Sequence, residues 1–313
     1  MVSISACYPG QGAQKEHMAL DFYRHSSRVR DLFHLVTEIT QLDVKHVLET
    51  YSEQQLRHTE IAQIVVTLAN RSAHIALQEH GITFDSYAGF SLGELSAYAG
   101  SGVINDQQLF ALVQKRGQLM AKAYERALKE HGELSMAAVI NLGYETVLSL
   151  IQEHSIPLLY CANDNSDSQV TIAGSVASIE TITPLLKEAG AKRVIPLRVS
   201  APFHTPFLAS MVDEYSEFVE SLDFNDPIAP LYLNSTAQKA DTAQQVKEGC
   251  ITHLYSVVKW RQIMKEIGPK HKHMIEIGPG SVLSGFFRST DYPIGTHVCG
   301  TYEQVEQVSK ELQ

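Results

Sequence analysis

The pentapeptide Gly89-Phe90-Ser91-Leu92-Gly93 decides the interpretation of this chain, because it has the G-x-S-x-G pattern of a nucleophile elbow. The run 85–88 before it predicts a short buried strand, and the run 92–99 after it predicts the start of a helix. A serine on such a turn projects its hydroxyl from the sheet, and flanking glycines permit the tight backbone. The helix N-terminus behind it favours developing negative charge. Ser91 is therefore the candidate nucleophile, although this short pattern needs support from the rest of the chain.

The size and charge of the chain restrict its class. It has 313 residues, 44% of them hydrophobic, which suffices for a large α/β domain with a smaller insert. The formal net charge of -10 argues against nucleic acid or an anionic membrane as the main partner. No apolar stretch is long enough to span a bilayer, and residues 1–6 predict a first strand rather than a signal peptide. We therefore expect a cytoplasmic protein.

Cysteine and histidine residues give no sign of a metal site. The four cysteines are scattered without a C-x-x-C pair, which predicts buried, reduced thiols. His271 and His273 have the spacing of two metal ligands, but no third ligand follows at a suitable distance along the chain. We therefore expect neither a metal nor another cofactor.

The order of predicted elements indicates an α/β protein with an insert. Strand-like and helix-like segments alternate, which is typical of an α/β sheet. Between residues 134 and 197 the order becomes βαββαβ, which is the ferredoxin-like pattern. We therefore predict a small domain at 134–197, inserted in a larger domain formed by 1–133 and 198–313. Within the insert, the segment 163–167 is rich in turn-forming residues and predicts a turn between two strands.

A nucleophilic serine needs a base and donors for an oxyanion. The candidate base is His204, because Pro202 and Pro206 flank it and make the loop after a strand rigid. The alternative is a loop histidine that has no catalytic role. The candidate oxyanion donors are the amide of Leu92 and an amide of the glycine-rich turn that contains Gln11. An ordinary strand-to-helix turn is the alternative for the second donor.

Arg116 lies where a polar residue is not expected. In the helix predicted over 106–129 it falls on the apolar face, three or four residues from Val113 and Met120. An arginine that faces a core must find an anion or lose much solvation energy. The anion is either an internal partner such as Glu94 or the carboxylate of a substrate. Spacing alone leaves both alternatives open.

Seven motifs occur along the chain in one characteristic order. They are Tyr8-Pro9-Gly10-Gln11-Gly12-Ala13-Gln14, Gly89-Phe90-Ser91-Leu92-Gly93-Glu94, Lys115-Arg116-Gly117-Gln118-Leu119-Met120, Ala162-Asn163-Asp164-Asn165, Gln169-Val170-Thr171-Ile172-Ala173-Gly174, Pro202-Phe203-His204 and Glu276-Ile277-Gly278-Pro279-Gly280. Together they closely resemble the malonyl-CoA:acyl-carrier-protein transacylases and the related acyltransferases of polyketide synthases. The resemblance covers nearly the whole chain.

The resemblance implies an α/β-hydrolase-like core with a ferredoxin-like insert, and it implies a function. Ser91 would attack the malonyl thioester and become malonylated, while His204 takes the serine proton and later assists the carrier thiol. The partners would be malonyl-CoA and a phosphopantetheinylated acyl carrier protein, and we expect a monomer. The amides of Gln11 and Leu92 would hold the oxyanion, and Arg116 would grip the malonyl carboxylate.

The resemblance also assigns the surroundings of these residues. A backbone carbonyl in the segment that begins at His253 would orient the base, which makes a serine–histidine dyad without an acidic member. Asn163 would lie near the pocket, and Met120 and Phe203 would line its acyl side. The bulk of Phe203 favours malonyl over methylmalonyl.

This sequence departs from the family pattern at two positions. Phe90 precedes the nucleophile where relatives usually have histidine, which leaves the choice of extender unit open. His253 stands where many relatives have glutamine.

Three alternative functions need different sets of residues. An acyl-carrier-protein acyl hydrolase needs no carboxylate clamp, so Arg116 counts against it. A carboxylesterase with a Ser-His-Asp triad needs an acidic residue followed by a histidine downstream of the serine, and the absence of this arrangement counts against it. A non-catalytic carrier-docking protein needs neither Ser91, His204 nor Arg116, so their presence counts against it. Because carrier proteins are usually acidic, we expect docking on a basic patch formed by Lys187, Lys192, Arg193 and Arg198.

Overall fold

A computed structural model describes residues 3–197 and 201–313. These residues form ten strands, fourteen α-helices and one 3₁₀ helix, Pro206–Met211. The strands are β1 Ile4–Tyr8, β2 Ser86–Gly89, β3 Leu134–Ile140, β4 Leu159–Ser166, β5 Gln169–Ser175, β6 Arg193–Pro196, β7 Leu231–Tyr232, β8 Lys239–Ala240, β9 His273–Ile277 and β10 Gly295–Cys299. The helices are α1 Leu20–His25, α2 Ser27–Thr40, α3 Val44–Thr50, α4 Glu53–Leu56, α5 Thr59–Glu79, α6 Gly93–Gly100, α7 Asp106–His131, α8 Tyr144–Glu153, α9 Val176–Glu188, α10 Val212–Glu220, α11 Ala243–Thr252, α12 Trp260–Ile267, α13 Val282–Arg288 and α14 Tyr302–Leu312. Within both described ranges, none of these helices has the length and apolarity needed to cross a bilayer.

The larger sheet places the elbow beside the glycine-rich turn. Its six strands have the order β10-β9-β1-β2-β7-β8, and all neighbours are parallel except the edge strand β8. All five residues of β1 are buried, as expected of a central parallel strand. Tyr8, the last residue of β1, is paired with Gly89, the last residue of β2. The segments that follow both strands therefore leave the sheet side by side at its carboxyl edge, where α/β proteins build their binding sites.

The smaller sheet has the predicted ferredoxin-like topology. Its order is β4-β5-β3-β6 with all neighbours antiparallel, so the last strand lies beside the first. Helices α8 and α9 pack on this sheet: Val147 of α8 and Ile182 of α9 share a buried apolar cluster with Val170 and Ile172 of β5. The fold class predicted from the sequence, an α/β core with a ferredoxin-like subdomain, is confirmed.

The turn predicted at 163–167 was wrong. Strand β4 continues to Ser166, and the chain reverses only between there and Gln169. The strand is extended by contacts with a segment that is distant in sequence. The Asp164 amide donates to the Val258 carbonyl at 2.9 Å. The Val258 amide donates to the Ala162 carbonyl at 3.0 Å. These backbone hydrogen bonds hold polar residues in an extended strand that their local propensity disfavours.

Arg261, on α12, forms ion pairs with two acidic residues of the ferredoxin-like subdomain. Its Nε lies 2.8 and 3.0 Å from the two carboxylate oxygens of Asp164, and its Nη2 lies 2.6 Å from Glu145. The predicted insert boundary at residue 197 adjoins residues 198–200, which lie outside the described residues. The division into 1–133, 134–197 and 198–313 therefore stays a prediction.

Candidate active site

The elbow forms where β2 ends and α6 begins. Ser91 has a backbone φ of 52°, in the left-handed region that residues other than glycine rarely adopt. A Cβ added to Gly89 would lie 2.0 Å from the carbonyl carbon of Gly93, and one added to Gly93 would lie 2.0 Å from the Tyr8 carbonyl oxygen. The two glycines of the motif are therefore required by close backbone approach.

His204 is in contact with Ser91. Its Nε2 lies 2.7 Å from the serine Oγ, and its Nδ1 lies 2.9 Å from the carbonyl oxygen of His253. Because a carbonyl only accepts, Nδ1 carries the hydrogen and Nε2 is left to accept from the serine hydroxyl. Burial, aided by the positive charge of Arg116, lowers the pKa of His204 to about 3. The imidazole is therefore neutral near pH 7 and able to take a proton.

The side chain of His253 packs against the base, but the hydrogen bond to His204 Nδ1 is formed by the backbone carbonyl of His253 and not by its imidazole. The two imidazole rings stack with centroids 4.8 Å apart. Burial, followed by the neighbouring His204, lowers the pKa of His253 well below its usual range. Its Nδ1 lies 3.8 Å from Glu94, whose pKa burial raises to about 7. Because the contact uses the main chain, the departure from glutamine leaves this hydrogen bond in place.

The glycine-rich turn that contains Gln11 lies against the elbow that contains Leu92. A Cβ on Gly10 would lie 2.4 Å from the Phe90 carbonyl oxygen and 3.4 Å from the Leu92 nitrogen, so the glycine-rich turn packs directly on the elbow. Gln11, the next residue of that turn, lines the cleft beside Ser91. Across the described residues, neither the Gln11 amide nor the Leu92 amide donates to another protein group. Such a pair of N–H groups is suited to an oxyanion.

Arg116 is buried without a carboxylate partner. Only 1% of it is exposed, and burial lowers the pKa of its guanidinium. Within residues 3–197 and 201–313, no carboxylate oxygen lies within 4.0 Å of its nitrogens, so the internal ion pair with Glu94 is not formed. Its Nη1 donates to Gln63 at 2.6 Å, and the Gln63 amide donates to Gln11 at 3.1 Å. A hydrogen-bonded chain therefore connects the guanidinium to the cleft.

The cleft beside the serine is small. Its cavity of about 160 Å³ is bordered by Phe90, Asn163 and Phe203, as the resemblance implies. A cavity of about 150 Å³ holds a molecule the size of benzene, and a malonyl group has a similar number of heavy atoms. Met120 and Arg116 are buried nearby on α7 but do not border this cavity.

Several lining residues escaped sequence reasoning. Asn165, Gln169 and Thr171 face the cleft from the small sheet, and Val282 and Phe286 face it from α13. Strand alternation could have found the first three, because side chains two residues apart share a face of a strand. The elbow also contacts Asn234, which follows β7; its position at the carboxyl end of a parallel strand was the available signal.

The described residues contain no group of three or more histidine, cysteine or acidic side chains arranged to hold a metal ion. All four cysteines lie in the described part of the chain, and each is buried and free, as the sequence predicts. Burial raises the pKa of every one of these thiols.

A buried histidine in contact with the serine of a strand-to-helix elbow is typical of enzymes that form an acyl-serine intermediate. A sequence model of the acyl transferase domain matches residues 7–292. The chain belongs to the acyl transferase family, within the group of malonyl-CoA:acyl-carrier-protein transacylases, and is an acyltransferase. The resemblance predicted from the sequence is confirmed.

Three relatives illustrate the similarity. The chain is 31% identical over 309 residues to the malonyl CoA-acyl carrier protein transacylase of Staphylococcus aureus, covering 98% of each chain. It superposes on the malonyl-CoA:acyl carrier protein transacylase of Helicobacter pylori with a TM-score of 0.91 and 27% identity, over 100% of this chain and 99% of that one. A malonyl-transacylase solved in complex with a type II polyketide synthase acyl-carrier protein gives a TM-score of 0.91 at 27% identity, over 99% of each chain.

Proposed function

We propose that this enzyme transfers a malonyl group from malonyl-CoA to the phosphopantetheine thiol of an acyl carrier protein through a malonyl-serine intermediate. The observation that carries this proposal is the 2.7 Å contact between Ser91 Oγ and the neutral His204 Nε2 beside a cavity of malonyl size. The names of the relatives supply the donor and the acceptor.

In the first half-reaction, Ser91 Oγ attacks the malonyl thioester carbonyl while its proton passes to His204 Nε2. The carbonyl oxygen becomes an oxyanion, and the amides of Gln11 and Leu92 donate to it. The carbon–sulfur bond then breaks, and the leaving CoA sulfur takes the proton from His204. The His253 carbonyl stabilises the imidazolium that exists between these two transfers.

The second half-reaction reverses the roles. The thiol of the carrier protein gives its proton to His204, and its sulfur attacks the serine ester. The same two amides hold the oxyanion, and collapse returns the proton to Ser91 Oγ. Free CoA leaves before the carrier enters, so the kinetics are of the ping-pong type.

Arg116 gives the reaction its preference for a carboxylated acyl group. Its guanidinium has five donors, one of which bonds Gln63; Arg116 does not border the cavity, but the hydrogen bonds through Gln63 to Gln11 connect it to the cleft that the malonyl carboxylate would enter. The absence of a protein carboxylate within 4.0 Å, among the described residues, favours the substrate as its anion over an internal partner.

Two alternatives share the same serine and histidine. An acyl hydrolase of the same fold would use the same serine and histidine but release the acyl group to water. A different extender unit is favoured by one observation: Phe90 borders the cavity and packs edge-to-face on Trp260, where the family usually has histidine.

The carrier protein would dock on the basic patch at the end of the small subdomain. Lys187, Lys192 and Arg193 are exposed, and none of them forms an ion pair with another described residue. Arg198, the fourth member of the predicted patch, lies outside the described residues. Unpaired surface cations attract the acidic surface typical of carrier proteins.

Intact-protein mass spectrometry tests the function. The enzyme is mixed with malonyl-CoA, methylmalonyl-CoA or acetyl-CoA, and a holo carrier protein is then added. A malonyl adduct on Ser91 that moves to the carrier supports the transacylase, and Ser91→Ala is the control that must stay unmodified. Loss of the acyl group to water in place of transfer would favour the hydrolase.

A further inference from the structure

One side chain spans the nucleophile elbow. Asn234, which is fully buried, accepts a hydrogen bond from the Ser91 amide through its Oδ1 at 2.8 Å. Its Nδ2 donates to the carbonyl oxygen of Gly89 at 2.6 Å. A single amide group therefore bonds the backbone on both sides of Phe90, at the point where the chain turns from strand to helix.

The main chain of Asn234 is anchored as firmly as its side chain. Its amide donates to Glu94 Oε2 at 2.5 Å, and its carbonyl accepts from the Lys259 amide at 3.0 Å. Glu94 is the second residue of α6, and it also accepts a hydrogen bond from the Tyr98 hydroxyl. Because all four polar groups of Asn234 are engaged, the orientation of its side-chain amide is fixed.

We propose that Asn234 is a positioning residue that holds Ser91 in its strained conformation, with Oγ aimed at His204. The φ of 52° at Ser91 is sparsely populated and persists only where surrounding contacts over-determine it. The Asn234 side chain supplies such a contact at the backbone amide of Ser91. It therefore restrains the residue whose Oγ must stay within hydrogen-bond reach of His204 Nε2. The inference rests on the proposed role of Ser91 as nucleophile.

The test compares Asn234→Ala with Ser86→Ala. Ser86 lies at the other end of β2, and its hydroxyl donates to Ser5 in a buried hydrogen bond at 2.9 Å. The control therefore breaks a buried polar contact of β2, the strand that leads into the elbow, without touching the elbow itself. The probe is a fluorophosphonate, which labels Ser91 by forming a phosphorus–oxygen bond and releasing fluoride. We expect labelling of folded Asn234→Ala to slow by about 100-fold, since a displacement of about 1 Å costs that much. We expect Ser86→Ala to label at the wild-type rate.

Asn234→Asp separates positioning from general stability. An ionised aspartate can accept from the Ser91 amide but cannot donate to Gly89, whereas a protonated one can do both. The described titratable groups around this position are Glu94, which accepts from the Asn234 amide, His253, whose Nδ1 lies 3.8 Å from Glu94, and His204, which contacts Ser91; all three are retained in every variant. We therefore expect the labelling rate of Asn234→Asp, relative to wild type, to rise as the pH is lowered, while the relative rate of Asn234→Ala stays flat. With malonyl-CoA as the substrate, we expect both Asn234 variants to have a lowered kcat and a nearly unchanged KM.

Circular dichroism and thermal unfolding give the folded fraction used for normalisation. Wild-type labelling by both folded Asn234 variants, or loss of folding in both, would overturn the positioning role. A flat relative pH profile for folded Asn234→Asp would overturn it as well. Wild-type enzyme that reacts with the fluorophosphonate but not with malonyl-CoA would instead refute the proposed acyl donor, and the comparison of the variants would still decide the role of Asn234.

Discussion

Replacement of Arg116 by alanine is the sharpest test of the carboxylate clamp. The residue is 1% exposed and has no carboxylate within 4.0 Å among the described residues, so a bound malonyl group would be its ionic partner. Removing one partner of a buried charge pair costs about 2–5 kcal/mol. Because each 1.4 kcal/mol is a factor of ten, malonyl loading should fall roughly 30-fold to 4,000-fold in kcat/KM. Acetyl-CoA has no carboxylate, so its loading should be unchanged or faster.

The assay measures the rate of acyl-enzyme formation by quenched intact-protein mass spectrometry with each donor. Lys115→Ala is the matched control, because Lys115 is the adjacent residue of α7 and forms a partly exposed ion pair with Glu214 at 2.5 Å. It removes the same charge from the solvent side of the helix. Thermal unfolding accounts for the hydrogen bond that Gln63 loses in Arg116→Ala. Equal losses for malonyl and acetyl groups would refute the clamp.

Three further predictions concern the base, the pocket and the carrier. The pKa of His204 is lowered to about 3, so its base form is lost only as the pH falls toward 3; the rate of Ser91 acylation should stay level between pH 8 and 5, and a decline centred near the ordinary histidine pKa would contradict this. Phe90→Ala enlarges the cavity and should raise methylmalonyl loading relative to malonyl loading about tenfold in competition assays; an unchanged ratio would exclude Phe90 from extender choice. Lys192→Glu combined with Arg193→Glu should slow transfer to the carrier about tenfold at low salt without slowing self-acylation, and unchanged transfer would place docking elsewhere.

Features encoded by local spacing were predictable from the sequence. The elbow follows from five consecutive residues, because tight turns need glycines at fixed positions. The inward position of Arg116 follows from helical periodicity, and the structure places it on the buried face of α7. The βαββαβ order follows from alternating hydrophobic patterns, and the small sheet has that topology.

Features that depend on distant segments were not predictable. The extended conformation of Asn163 and Asp164 is imposed by Val258, almost a hundred residues away, and by the Arg261 ion pair. Gln63 and Asn234 become site residues only through partners on other elements, Arg116 in one case and Ser91 in the other. A buried amide side chain has no periodic pattern of its own, so tertiary contacts alone reveal such residues.

The short segment from His253 to Arg261 has a consequence for protein engineering. One end supplies the carbonyl that contacts His204, and the other end pairs with β4 through Val258 and clamps Asp164 through Arg261. A chimera that exchanges the ferredoxin-like subdomain alone would place a foreign β4 against this segment, whose other end contacts the base. Subdomain grafts aimed at new extender units should therefore carry residues 253–261 of the same parent as one cassette.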